Sequence, residues 1–189
     1  MPSPRAVLAV VACLAGGAIA AVEPALAARA AGSPSAAAPA ASSGPFRIDQ
    51  SAVGRAPLGR TAAFYKQALG GTVQRAGNDD GFDRLLFPDA HLAVLFVPGK
   101  DAGVGVLTWG SRTTTAAGVG PCSSRATLLA AYRGRLAQVA KGAEVQAWRL
   151  GRLVFAVRGG YVSAVGLLRP GVSIGPVLLA PACGAPSLG

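Results

Sequence analysis

Two apolar stretches, one beginning at Leu92 and the other 61 residues later at Leu153, align without a gap. The first reads Leu92-Ala-Val-Leu-Phe-Val-Pro-Gly-Lys-Asp-Ala-Gly-Val-Gly-Val, and the second Leu153-Val-Phe-Ala-Val-Arg-Gly-Gly-Tyr-Val-Ser-Ala-Val-Gly-Leu. Each is a β-branched and aliphatic run broken by turn residues, a pattern that is satisfied when the chain folds back on itself as antiparallel strands. Extended along the chain, the pattern predicts strands at 85–87, 91–97 and 103–109 in the first half. In the second half it predicts strands at 145–150, 153–158 and 161–168, with a closing strand at 172–180. Pro88-Asp89, Pro98-Gly99-Lys100-Asp101, Gly151-Arg152 and Gly159-Gly160 supply the turns.

A helix signal precedes each set of strands. Thr61 caps AAFYKQAL and Gly70-Gly71 stop it, while Ser123-Ser124 lead into RATLLAAY and Gly134 ends it. Helices of about ten residues are marginal alone, so both must pack on the strands that follow. The expected fold class is therefore α+β: antiparallel sheet with short helices on one face, built from two helix-βββ repeats. Repeat one spans 47–112 and repeat two 113–169, within a single domain at 46–184 that leaves a tail at 185–189.

The N-terminal third reads differently. Arg5 is followed by an uninterrupted apolar run over residues 6–22, then Glu23, Pro24 and Ala25-Leu26-Ala27. Positive residue, apolar stretch, proline and A-x-A are the parts of a cleaved leader, which places a signal peptide at 1–27 with cleavage after Ala27. The run is short and Ala/Gly-rich for a membrane span. Val10-Val11-Ala12-Cys13 offers the alternative of a lipid anchor at Cys13. Residues 28–45 contain only Ala, Arg, Gly, Ser and Pro, too little apolar surface to offset ordering entropy, and read as a disordered linker. The protein is thus expected to be secreted, or otherwise extracytoplasmic.

Cysteine usage agrees with that compartment. Once the leader is removed, Cys122 and Cys183 remain, an even pair that predicts one disulfide where the surroundings are oxidising. Closing a loop of roughly 60 residues contributes about 4 kcal/mol in the chain-entropy model.

The segment from Thr115 to Tyr132, TAAGVGPCSSRATLLAAY, resembles a motif of secreted actinobacterial proteins of unassigned function, in which T-x-x-G-V-G-x-G-S-S precedes a helix ending in Tyr. Leu58-Gly59-Arg60-Thr61 with Ala68-Leu69-Gly70 looks like a degenerate first copy. Those proteins are similar in layout to the tandem units of β-lactamase inhibitory protein and of outer-membrane assembly lipoproteins with a helix-and-meander fold. The resemblance covers roughly residues 47–168 and implies an exported helix-plus-sheet scaffold. Cys122 stands where the motif carries Gly, behind Pro121. Inhibition of a β-lactamase is not implied, since that activity needs an aromatic-rich concave sheet.

Side chains that carry chemistry are scarce. His91 is the sole histidine and Glu144 the sole glutamate after the leader, so neither a zinc set nor a pair of carboxylates on Glu is available. Asn78, Asp79, Asp80 and Asp83 surround Gly81, but an EF-hand register would put Ala76 and Phe87 at ligand positions, and a solvated turn fits better. Ser123, Ser124 and Ser163 lie outside any G-x-S-x-G elbow, and the glycine-rich stretches match no nucleotide-binding pattern. No cofactor, metal or catalytic residue is assigned.

What remains is binding. Trp109, Trp148 and Tyr161 on or beside strands are the candidate interface residues. The chain carries a formal charge of +10, and from Ala102 onward nine basic residues face the single acid Glu144. The reading is a non-enzymatic exported protein that binds an extracellular or envelope protein or an anionic polymer. Nucleic acid is disfavoured because no Lys/Arg run or stacking pattern occurs. Two alternatives stand beside it: a thiol-dependent hydrolase using Cys122 and His91, and a polyanion binder using the basic C-terminal half.

Overall fold

A computed structural model of the chain describes residues 46–76 and 81–183. The leader, Cys13, Ala27, the linker, the tail and Asn78, Asp79 and Asp80 lie outside the described residues. Three two-residue strands open the fold: β1 (Arg47–Ile48), β2 (Ala52–Val53) and β3 (Ala56–Pro57). Helix α1 (Ala62–Leu69) and strands β4 (Gln74–Ala76), β5 (Asp83–Phe87), β6 (Leu92–Phe96) and β7 (Gly103–Thr108) follow. After β8 (Thr114–Thr115) comes a second such series: α2 (Arg125–Ala131), β9 (Ala137–Lys141), β10 (Val145–Leu150), β11 (Leu153–Arg158) and β12 (Tyr161–Leu168). A last helical turn, α3 (Gly175–Leu178), completes the described chain.

The architecture is α+β, with an eight-stranded sheet in the order β4-β5-β6-β7-β12-β11-β10-β9 and a four-stranded one in the order β3-β2-β1-β8. All pairings in the large sheet are antiparallel, and the two halves join where β7 meets β12. The register there is symmetric under the 61-residue offset. Val106 faces Leu167, its own counterpart, while Gly105 faces Leu168 and Leu107 faces Gly166. Thr108 pairs with Val165, and the equivalent pair is linked by the Arg169 N–H donating to the Val104 carbonyl at 2.9 Å.

Each meander has four strands rather than the expected three, because β4 and β9 extend it at the edges. Both caps form as expected: the Thr61 hydroxyl accepts from the Phe64 N–H at 3.2 Å and the Ser124 hydroxyl from the Thr127 N–H at 3.0 Å. Gly70, with φ 62°, ends α1; α2 ends at Ala131, one residue short of the expected RATLLAAY, with Tyr132 at its C-cap.

The sheet is buried on both faces, which is why β6 and β11 read as unbroken apolar runs. One face carries α1, α2 and the small sheet, through Tyr65, Leu128, Ile48 and Val53 against Phe87, Val94, Phe155 and Leu167. The opposite face is where the structure departs from expectation: 172–180 is not a strand, and helices do not lie on one face alone. β12 sits in the middle of the sheet with both neighbours paired, so the chain leaving it has no edge to join. Pro176 lacks the N–H a ladder would need and instead sits in the first turn of α3. This C-terminal strap crosses the face on a floor of small residues, Ala147, Ala156, Ala164 and Gly166, that lets Val177 come close. Cys122 and Cys183 form a disulfide, Cα to Cα 5.2 Å, that pins the strap's end to the loop before α2.

Candidate functional site

The 115–132 segment is explained by architecture. The Thr115 hydroxyl accepts the Val119 N–H at 3.3 Å and takes a 2.6 Å hydrogen bond from the buried Tyr132 hydroxyl. Gly118 has φ 73°, and a Cβ on Gly120 would run into the Thr113 carbonyl. The Ser123 hydroxyl accepts the Gly120 N–H at 3.1 Å, Ser124 caps α2, and buried Ser163 donates to the Ala156 carbonyl at 3.3 Å. All three candidate serines are thus held in backbone contacts. Cys122 is in the disulfide, so the thiol that the Cys122/His91 alternative needs is absent in this state.

His91 sits before β6 in the left-handed region, φ 49°, half-buried, with its ring edge-on to Trp109 at 6.2 Å between centroids. It faces a cleft of about 530 Å³ between the small sheet, the end of α1 and the loop after β7. Phe46, Leu69 and Leu92 supply apolar wall, and the exposed guanidinium groups of Arg55 and Arg112 share the cleft with Ser111, Thr113 and Asp89. Serine, histidine and aspartate therefore line one cavity, although no hydrogen bond joins Asp89 to His91 or His91 to Ser111. The Asp89 carboxylate accepts the Thr72 N–H at 3.4 Å instead. What the cleft offers a ligand is two cations against the one carboxylate of Asp89, with hydroxyl groups and an apolar side. Sequence reasoning missed Arg55 and Arg112 as a pair, because they are 57 positions apart and only the β1–β8 pairing brings their loops together.

The three candidate aromatics are dispersed. Trp109 is buried, 6% exposed, on the face crossed by the strap. Trp148 belongs to the opposite core, beneath the Arg125 guanidinium at 5.3 Å, and borders a groove between α2 and β9. Tyr161 alone projects, 57% exposed. They do not form one interface. Among the described residues no three His, Cys, Asp or Glu side chains converge as a metal site, and no helix is long and apolar enough to cross a membrane. No protein-family model, curated protein or solved structure matches the chain.

Proposed function

We propose that this protein is a non-enzymatic binding protein of the extracytoplasmic space, with two copies of a helix-and-meander unit as its scaffold, that holds an anionic partner in the Arg55/Arg112 cleft. The observation that carries the reading is that cleft's combination of an apolar wall with two exposed guanidinium groups. Guanidinium forks suit carboxylate and phosphate oxygens, and an apolar wall beside them strengthens the contact by excluding water. The leader-like N-terminus, the disulfide and the net charge of +10 support a setting outside the cytoplasm, among anionic envelope polymers or acidic protein surfaces.

Calorimetric titration of the full chain with polyphosphate, and separately with polyglutamate, tests this. Arg55→Ala/Arg112→Ala is expected to weaken binding by about tenfold or more, since charge-assisted hydrogen bonds are lost. Failure of either polymer to bind, or binding unchanged in the double variant, would refute the reading.

A further inference from the structure

Under the C-terminal strap, on the face of the sheet away from the Arg55/Arg112 cleft, lies a second cavity of about 280 Å³. Its floor is Leu86, Ala93 and Leu107 from β5, β6 and β7 with Trp109 just past β7, and its other wall is Leu179 and Pro181 of the strap. The lining is apolar except for arginines, of which Arg158 is exposed and donates one guanidinium hydrogen bond, Nη2 to the Leu178 carbonyl at 3.3 Å. A guanidinium has five N–H donors, so one such contact leaves capacity for a ligand anion. A further observation marks a ligand space rather than an incidental gap: Leu179 is 65% exposed at its edge, an apolar side chain in solvent beside an apolar groove.

We propose that this groove binds a free medium-chain fatty acid, its alkyl chain between Leu107, Trp109 and Leu179 and its carboxylate on Arg158. The size agrees: about 280 Å³ is roughly nine water-sized volumes, which matches a chain of about eight to ten carbons. Charge selects the head group, because among the described residues the groove's lining holds arginine and no acidic residue. The site is independent of the Arg55/Arg112 cleft.

Decanoate titrated into the full chain by calorimetry, below its micelle range, is expected to bind saturably at one site. Decanol and Arg158→Gln should each weaken binding by about tenfold, the loss of a charge-assisted contact, and Arg158→Lys should recover part of it. Leu179→Glu, at an exposed position that folding tolerates, should weaken decanoate by at least as much by setting a like charge at the wall. Arg55→Ala/Arg112→Ala should leave decanoate binding unchanged, which separates this site from the cleft. Equal affinity for decanoate and decanol, indifference to Arg158→Gln and Leu179→Glu, or retention on anionic vesicles with no saturable decanoate binding would overturn the proposal.

Discussion

Asp49 shows how single residues hold the small sheet's first turn. Its Oδ1 accepts the Ser51 N–H at 2.7 Å, the Ser51 hydroxyl at 2.6 Å and the Ala52 N–H at 2.9 Å. Partial burial pushes the carboxyl up, but the hydrogen bonds from Ser51 and Ala52 and the charge of Arg47 outweigh it and hold Asp49 below its ordinary 3.8. A carboxyl lowered on folding stabilises the native state above its unfolded value, and that contribution is lost as pH falls through the folded value. Asp49→Asn is therefore expected to lower unfolding free energy by about 1 kcal/mol at pH 7 and by less below pH 3.8, read from urea unfolding at both pH values. Cys122 illustrates what a sequence can hide. Its φ of 72° belongs to the left-handed region that glycine favours and that a cysteine in the sequence does not announce. The Thr61 and Ser124 caps were legible because side chain and spacing announce them; the hydrogen-bond role of Thr115 toward Tyr132 was not, since it spans 17 residues and depends on the packing of α2.

At the scale of elements, legibility followed burial. The inner strands β10, β11 and β12 were readable with their final bounds: β11 and β12 are nearly continuous runs buried on both faces, and β10 is bounded by the Gly151-Arg152 turn. The edge strands β4 and β9 escaped notice: Gln74–Ala76 and Ala137–Lys141 carry one large apolar residue between them, as edges in contact with solvent do. The strap was misread for the opposite reason, since its apolar residues face the sheet from outside rather than lying in it. Its close approach makes a sharp expectation. A Cβ at Gly166 would stand 2.5 Å from Val177 Cγ2 and 3.0 Å from Leu107 Cδ2. Gly166→Ala is expected to cost roughly 1–3 kcal/mol in denaturant unfolding, the scale of overpacking. Val177→Ala should recover part of that loss in the double variant, a coupling that independent sites would not show.

For the whole molecule, the eight-stranded sheet runs without interruption through both halves, and the β7–β12 register maps onto itself under the 61-residue offset. The overall class was legible because two like hairpins in one chain favour one shared sheet; the candidate site was not, because the loops that bring Arg55 and Arg112 together come from different parts of the chain. The proposed extracytoplasmic setting rests on one covalent fact, the Cys122–Cys183 bond that pins the strap, since such bonds persist where the surroundings are oxidising. Intact mass and N-terminal sequence of the protein recovered from its producing cells, alkylated without reduction, test this most directly. The expected product lies outside the cytoplasm, begins at Ala28, takes no alkyl group and weighs two hydrogens less than its reduced form. Full-length protein in the soluble interior, with Cys122 and Cys183 both alkylated, would contradict it.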